Sequence, residues 1–227
     1  SIVTNRTYSN YVANSNNLWQ FDVANNTTND QNEILAHVAP NVGDISSEAA
    51  GQLYVGYNNG TSQLVPVPSL TISGGIVALA PYVFAYGSDG FVRWSRAGYT
   101  DDWSGGDAGE ARVTSQKIVK GLPLRSGAGN APSGLFWSLD SVLRATYVGE
   151  TAVFQFDTIT SQSSILSSQS VIEYDGIYFW CGVDRFLMFN GVVREIPNNL
   201  NLNWFYDNLN YAQRQKVFVY KVPRWGE

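Results

Sequence analysis

The sequence has very few of the side chains that catalysis and metal binding require. Its 227 residues contain one cysteine, one histidine and one methionine. Zinc sites use several Cys and His ligands, and a nucleophilic cysteine needs a base beside it. Cys181 and His37 are single residues that lie 144 positions apart in the sequence. We therefore expect no enzyme activity, no catalytic residue, no metal site and no cofactor.

Other signatures of chemistry are absent as well. The sequence contains no Gly-x-Ser-x-Gly nucleophile elbow and no phosphate-binding glycine loop ahead of a helical pattern. The densest group of carboxylates is Asp101, Asp102, Asp107 and Glu110, and its spacing differs from that of an EF-hand calcium loop. A solvated loop is the preferred interpretation of this group, and calcium binding is the open alternative.

Charge and long apolar runs are scarce. Charged residues make up 15% of the chain, against about 25% in an average domain, so Asn, Ser, Thr, Gln and Gly must provide much of the polar surface. The aromatic content of 14% argues against disorder. No apolar run approaches the ~20 residues of a membrane-spanning helix, and no signal-peptide pattern is present. No membrane partner is expected.

The acidic surplus lies in the first 92 residues. They contain one basic side chain, Arg6, and six acids, whereas the other 135 residues contain 13 of each sign. This distribution argues against the clustered Lys and Arg of a nucleic-acid footprint. A solvated acidic face is one interpretation, and a negatively charged passage is the other. The candidate acids for such a channel are Asp22, Asp30, Glu33, Asp44 and Glu48.

Short runs of β-branched and aromatic residues, bounded by Gly, Asn, Asp or Pro, are typical of strands. Two short helical turns are predicted at Asn203–Asn208 and Asn210–Lys216, with Asn203 and Asn210 as N-caps. The predicted strands are Gln52–Tyr57, Gly75–Leu79, Tyr82–Tyr86, Phe91–Ser95, Val142–Val148, Ala152–Phe156, Val171–Tyr174, Ile177–Cys181, Phe186–Phe189 and Val217–Lys221.

Three segments resemble one another, at residues 82–92, 135–142 and 177–187. Each is a strand followed by a turn with an Asp, and the aligned Asp89, Asp140 and Asp184 are 51 and 44 residues apart. Such a period is typical of propeller blades, and coincidence between hairpins is the alternative. The sequence therefore predicts an all-β, β-propeller-like fold of antiparallel blades with short helical insertions.

The pattern also suggests an organisation along the chain. Residues 1–73 form a β-rich acidic segment, within the propeller or beside it, and residues 74–227 form blades. Residues 98–134, rich in glycine and charge, are interpreted as an excursion from one blade. The chain starts at Ser1 without a methionine and stops at Glu227 just after a strand-like run. This predicts a piece of a longer polypeptide, incomplete at both ends.

From about Gly74 onward the chain resembles virion structural proteins of short-tailed bacteriophages. The resemblance covers roughly two thirds of the chain and is loose over residues 1–73. The stretches that show it are Tyr82–Ser95, Lys117–Arg125, Gly134–Val148, Ser163–Gly191 and Leu202–Glu227.

The resemblance implies a tail hub or nozzle of the packaged-DNA-stabilising type, located in the virion tail below the portal. Such proteins have β-propeller domains in a ring, for which a hexamer is expected. The implied partners are other copies of the chain, the portal or adaptor, other tail proteins, and double-stranded DNA that passes through without sequence-specific contact. Negative walls would repel phosphate and let DNA slide.

Candidate contacts between copies lie on the excursion and near the helical segment, and Trp and Arg are preferred among them because interfaces are enriched in these residues. Packing within one chain is the alternative for each. A glycan-binding β-propeller of a tail fibre or cell surface is the second hypothesis, since seven Trp and thirteen Tyr residues offer surfaces for sugars. A cellular repeat scaffold is the third. The candidate contact residues are Trp103, Lys117, Lys120, Arg125, Tyr206 and Arg214.

Overall fold

The protein is described here by a computed structural model over residues 19–38, 51–57, 64–87, 89–125, 131–149, 151–197 and 202–222. Within these ranges, sixteen strands form four antiparallel sheets of four strands each. The prediction of an all-β fold is confirmed.

The four sheets follow one another along the chain, and strands that are consecutive in sequence are hydrogen-bonded neighbours. Sheet A contains β1 (Trp19–Asn26), β2 (Gln31–Val38), β3 (Gln52–Tyr57) and β4 (Val65–Thr71). Sheet B contains β5 (Gly75–Leu79), β6 (Tyr82–Tyr86), β7 (Phe91–Trp94) and β8 (Gly109–Arg112). Sheet C contains β9 (Ile118–Pro123), β10 (Ser133–Ser138), β11 (Val142–Tyr147) and β12 (Phe154–Thr160). Sheet D contains β13 (Val171–Tyr174), β14 (Ile177–Cys181), β15 (Phe186–Phe189) and β16 (Val193–Glu195).

Apolar layers between successive sheets form the core. Leu35 and Leu53 of sheet A pack in one cluster with Val83 of sheet B. Between sheets B and C the layer is aromatic, and the ring centroids of Phe84 and Phe154 are 4.8 Å apart. Sheets C and D meet through a further apolar layer. Full burial of such large side chains is worth about 1.5–3 kcal/mol each, so the contacts between sheets dominate the stability of the fold.

The first strands of sheets A, B and C are neighbours in space, with β5 beside both β1 and β9. This is the arrangement expected of blades that radiate from a common axis. The four sheets are thus compatible with propeller blades. Among the described residues, no apolar cluster joins sheet D to sheet A, and no closed propeller is formed.

The three segments of the predicted repeat occupy the same position in three of the sheets. The segments at 82–92, 135–142 and 177–187 span the second and third strands of sheets B, C and D. Asp89, Asp140 and Asp184 all lie in the turn between those two strands. The Asp175-Gly176 turn between β13 and β14 has φ values of 51° and 77°, as a tight hairpin with two left-handed residues requires.

Two helical segments follow the last sheet. α1 spans Leu202–Asn208, and a 3₁₀ helix spans Tyr211–Lys216. The cap at Asn210 is confirmed, since its side chain accepts a hydrogen bond from the Ala212 N–H. The cap at Asn203 is wrong, because Asn203 is the second residue of α1. Residues 217–222 are not assigned to a sheet, in contrast to the strand predicted at 217–221.

Residues 98–134, interpreted from sequence as an excursion, contain two strands of the regular pattern. They contribute β8 to sheet B and β9 to sheet C. The loop before β8 is attached to its own sheet by Asp107, which accepts hydrogen bonds from the Tyr82 hydroxyl at 2.6 Å and the Ala97 N–H at 3.0 Å. In the described part of the chain, no helix is long and apolar enough to cross a membrane.

Candidate functional site

A cavity of about 450 Å³ lies where the chain enters the first strands of the sheets. Its walls are Gln20 at the start of β1, Gly74 just before β5, Lys117 and Val119 at the start of β9, residues 165–168 before β13, and residues 211–215 of the 3₁₀ helix. We call this cavity the strand-start pocket. Each of the four sheets therefore has a lining residue in its first strand or in the segment just before that strand.

Local interactions hold the wall formed by residues 165–168. Ile165 and Leu166 are buried, and the Ser170 hydroxyl accepts a hydrogen bond from the Ser167 N–H at 3.0 Å. The Ser167 hydroxyl donates to the Val217 carbonyl. This contact fixes the residues that follow the 3₁₀ helix against the segment before β13, so the pocket has a defined wall on that side.

Two cations face the pocket from different segments. Lys117 precedes β9, and Arg214 lies in the 3₁₀ helix. Neither has an ion pair with a residue that the structure describes. Partial desolvation lowers the pKa of the Lys117 ammonium, although the side chain as a whole stays exposed. No acid is among the described residues that line the pocket, so its local charge is positive.

Gln20 is a buried polar residue in the wall of the same pocket. Its side chain is 9% exposed, and its Nε2 donates to the Gly74 carbonyl at 3.1 Å. Its Oε1 has no hydrogen-bond partner among the described residues. This oxygen is enclosed beside Gly75, near the Tyr86 hydroxyl, so a molecule in the pocket does not reach it.

The candidate channel acids occupy different environments. Asp22 lies on β1, where its carboxylate accepts a hydrogen bond from the Ala78 N–H. Asp30 is exposed in the β1–β2 turn with φ 50°. Glu33 is buried and accepts hydrogen bonds from the Thr100 hydroxyl and, at 3.3 Å, from the Asn26 amide, so its carboxylate faces the interior. Two further candidates, Asp44 and Glu48, lie outside the described residues.

Two of the candidate contact residues, Lys117 and Arg214, line the strand-start pocket. Lys120 lies on β9, where burial lowers the pKa of its ammonium and the charge of Asp22 partly opposes this. Trp103 packs against the layer between sheets A and B, and its Nε1 donates to the Thr100 carbonyl.

The remaining two candidates lie beside sheet D. Arg125 is exposed, and its backbone N–H donates to the Tyr178 hydroxyl at 3.2 Å. Tyr206 donates from its hydroxyl towards the carbonyls of Gly182 and Arg185, each 2.9 Å away. Whether any of the six contacts another copy stays a prediction.

The residues considered for metal or nucleophilic chemistry are separated. Asp102 accepts from the Gly105 N–H at 2.9 Å, and Glu110 pairs with Arg93 at 2.9 Å. Over the described residues, no three His, Cys, Asp or Glu side chains group as metal ligands. Burial lowers the pKa of His37 to about 4, and burial raises the pKa of Cys181 to about 11. Both side chains are therefore neutral core groups near pH 7.

Among the described sheets, none covers the outer side of sheet A. Its apolar side chains are exposed along β1 but buried further in, at Ala36 and Tyr54, which align with Phe21 across β2 and β3. Along β1, Gln20, Asp22 and Ala24 point towards sheet B. Because side chains alternate along a strand, the neighbouring residues point away from it. On that side Phe21 is 66% exposed and Val23 is 50% exposed. We call this surface the A-end face.

The last sheet has a corresponding surface. Ile172, Phe179 and Met188 are aligned across β13, β14 and β15, on the side opposite the residues that pack on sheet C. All three are half-buried. We call this row the D-end face. Near it, Phe205 of α1 packs on Phe186 with ring centroids 5.4 Å apart.

No protein-family model matches this chain, and no curated protein matches it.

Sequence reasoning did not find the strand-start pocket. Its lining comes from six segments separated along the chain, and neither Gln20 nor Tyr211 belongs to a recognisable motif. The only available signal was the presence of Lys117 and Arg214 among the candidate contact residues.

Proposed function

We propose that this chain is a structural subunit of a bacteriophage tail hub or nozzle. In this proposal, copies of the chain form a ring around the DNA channel below the portal and help to retain and deliver packaged DNA. The partners are other copies, the portal or adaptor and other tail proteins. The support comes from the resemblance of residues 74–227 to such proteins and from the surfaces at the two ends of the sheet row.

The observation that supports assembly best is the exposure of the β1 part of the A-end face, since Ala36 and Tyr54 on the same side are already buried within the chain. Each internal face in the row of sheets is covered by the apolar face of the next sheet. At the A-end, Phe21 and Val23 remain half exposed or more. Clustered apolar exposure of this kind marks interaction sites in soluble proteins.

A second copy fits the geometry of these ends. The A-end and D-end faces lie at opposite ends of one row, so contact between them in successive copies would be head-to-tail. Such contacts generate a ring when the rotation between copies closes. This contact would add one more apolar layer to those that already lie between sheets A and B, B and C, and C and D.

The charge of the chain favours a passage for DNA over a binding site for it. The whole net charge of −5 comes from the first 92 residues. Repulsion between acids and phosphates reduces adhesion, whereas a basic lining would hold the DNA in a salt-dependent way. Asp22 and Asp30 are the described candidates whose carboxylates are not fully buried.

The test is the assembly state of end-face variants. Phe21→Ser and Val23→Ser are expected to shift the chain from oligomer to monomer in sedimentation-velocity experiments. Val192→Ser is the matched control, since Val192 is a similarly exposed valine, at 58%, in the β15–β16 turn. If wild type and all three variants have the same sedimentation coefficient, the A-end face is not the contact.

Glycan binding is the second candidate, because exposed aromatic residues follow sheet D. Trp204 is 69% exposed, and Tyr211, at the rim of the strand-start pocket, is 44% exposed. Aromatic faces of this kind suit stacking on sugars. A chain that stays monomeric and binds one neutral glycan specifically on an array would favour this candidate over the ring.

A further inference from the structure

We propose that the Asn190-Gly191 turn of sheet D is a site of self-modification, at which the Asn190 side chain is converted to aspartate and isoaspartate without an enzyme. Both reacting groups belong to the chain, and water from the solvent is the other reactant. The modification is a property of the single chain. It goes beyond the structural role proposed above and does not depend on ring formation.

The reaction joins an asparagine side chain to the backbone nitrogen of the next residue. The Gly191 nitrogen gives its proton to a solvent base and attacks Cγ of Asn190. A bond between this nitrogen and Cγ forms, the bond between Cγ and Nδ2 breaks, and the side-chain nitrogen takes a proton from solvent and leaves as ammonia. Water then opens the resulting succinimide ring at either of its two carbonyls, which gives aspartate or isoaspartate. The reaction therefore needs a free amide, a free N–H on the next residue, and solvent around both.

The turn between β15 and β16 meets these requirements. Strand pairing ends at Phe189 and Val193, which are partners, and the three residues between them, Asn190 to Val192, are exposed. Neither the Asn190 side chain nor the Gly191 N–H forms a hydrogen bond with any residue that the structure describes. Both reacting groups are thus free and open to solvent.

Gly191 also leaves space for the attack. Its φ is 105°, and a Cβ atom built on it would have no neighbour within 4 Å. A left-handed backbone of this kind favours glycine. Because glycine has no Cβ atom, nothing on Gly191 itself hinders the approach of its nitrogen to the Asn190 side chain. The residue type that the turn requires is therefore also the one that favours ring closure.

Two other turns place an acid before glycine, and both protect the corresponding nitrogen. In the Asp175-Gly176 turn, the Gly176 N–H donates to Oε1 of Glu173 at 2.7 Å. In the Asp89-Gly90 turn, Gly90 is buried, and a Cβ atom built on it would lie 2.1 Å from the Thr114 carbonyl oxygen. Attack in either turn would first require a bond to break or neighbours to move. Among the described residues, Asn190-Gly191 is the pair without such protection.

Several other asparagine side chains are held by hydrogen bonds. The Asn208 amide donates to the Trp204 carbonyl at 2.7 Å, and the Asn29 amide donates to the Glu33 carboxylate at 3.1 Å. A held amide has to leave its partner before its Cγ can reach the following nitrogen. Of the described asparagines, Asn190 is the one that glycine follows.

The modification changes both charge and backbone at the outer part of sheet D. Each modified copy carries one more negative charge than the −5 of the unmodified sequence. The isoaspartate product also adds one backbone atom to the loop between β15 and β16. Modified and unmodified copies are therefore distinguishable by charge, and the share of modified copies rises with the age of the sample.

The test is peptide mapping of the full chain after incubation at mildly alkaline pH. Trypsin cleaves after Lys and Arg, so it releases Asn190 in a peptide of residues 186–194. The second Asn-Gly pair, Asn59-Gly60, lies outside the described residues and falls in a separate peptide of residues 7–93. Mass spectrometry measures conversion of the amide to the acid, and labelling by an isoaspartyl methyltransferase detects isoaspartate.

We expect Asn190 in the folded chain to convert almost as fast as in a synthetic peptide of residues 186–194. The two rates should agree within about tenfold, which corresponds to about 1.4 kcal/mol in activation free energy. Asn190→Gln should abolish the acid product in this peptide, because the longer side chain does not form the same ring. Asn190 is exposed, so this variant should stay folded, and thermal melting checks it.

Asp175→Asn is the matched control. It places the same pair of residues in another hairpin turn of sheet D, where the Gly176 N–H is bound to Glu173. Conversion at this position should be roughly 10- to 100-fold slower than at Asn190, because the bond to a charged acceptor has to break first. Adding Glu173→Ala to Asp175→Asn should remove most of this difference.

The proposal is overturned if Asn190 remains an amide in the folded chain while the synthetic peptide converts. It is also overturned if the acid product contains no isoaspartate, since direct hydrolysis of the amide gives aspartate alone. Equal rates at Asn190 and at the Asp175→Asn position would refute the role of the free N–H. Ring formation is measured separately through Phe21 and Val23, so failure of this proposal and failure of the proposed function give different results.

Discussion

The carboxylate of Asp22 in β1 accepts a hydrogen bond from the backbone N–H of Ala78 in β5, with 2.8 Å between oxygen and nitrogen. A side chain of sheet A thus satisfies a backbone donor in the first strand of sheet B. The bond joins the two sheets where their first strands lie side by side. Asp22 therefore has a structural role whether or not it also contributes to the charge of a channel.

Removing this carboxylate should destabilise the fold. We expect Asp22→Ala to lower the free energy of unfolding by about 1–3 kcal/mol, because the Ala78 N–H loses a charged acceptor. Urea unfolding followed by tryptophan fluorescence measures the change. Asp101→Ala, at an exposed acid, is the control and should change the free energy by no more than about 0.5 kcal/mol. Equal effects of the two substitutions would contradict this role.

The buried His37 should make stability depend on pH. Its pKa is lowered to about 4 in the folded chain, against 6.5 for an exposed histidine, because burial disfavours the charged ring. The unfolded chain therefore binds a proton that the folded chain does not as the pH falls below 6.5. We expect a loss of about 3 kcal/mol that develops between pH 6.5 and pH 4.

The contribution of His37 can be isolated because it is the only histidine. Unfolding free energies of wild type and His37→Gln, measured at several pH values in this window, give the difference curve. The wild type should lose stability relative to the variant as the pH falls. A flat difference curve would show that His37 does not titrate in this way.

Cys181 should be unreactive in the folded chain. Burial raises the pKa of its thiol from 9.0 to about 11, which lowers the thiolate fraction roughly a hundredfold at pH 8. Reaction with an aromatic disulfide reagent is therefore expected to be at least about a hundredfold slower in buffer than in denaturant. Equal rates in the two conditions would mean that sheet D does not protect this residue.

The hydroxyl of Tyr178 joins sheets C and D. It donates to the Pro123 carbonyl and accepts from the Arg125 N–H. Tyr178→Phe is expected to lower the free energy of unfolding by about 1–2 kcal/mol, since both backbone groups lose a partner. Tyr220→Phe, at a tyrosine that is 69% exposed, is the matched control for urea unfolding. A control variant as unstable as Tyr178→Phe would exclude a specific effect of this bond.

Much of the fold was predictable because its signals are local. Strands that follow a clear turn sequence were predicted with the bounds that the structure shows, as for Ile177–Cys181 after the Asp175-Gly176 turn. The strands β1, β2, β4, β8, β9 and β16 were not predicted. β8 consists of Gly-Glu-Ala-Arg, and β9 contains Gly121, where a Cβ atom would lie 2.8 Å from the Phe136 ring. Such segments become strands because of packing between sheets, and no local sequence pattern indicates that packing.

The candidate site was less predictable, for the same reason. Lys117 and Arg214 are predicted as contact residues from their places in the excursion and near the helical segment. That both line one pocket depends on how sheet C and the 3₁₀ helix pack. The burial of Glu33 depends on the distant Thr100. Neither relationship has a sequence signature.

The most direct test of the proposed function is the mass and symmetry of the purified chain in solution, by native mass spectrometry and electron microscopy. The proposal predicts a closed ring of copies with a central opening wide enough for double-stranded DNA. A population made up of single chains of 25.0 kDa, at every concentration up to that used for microscopy, would contradict it.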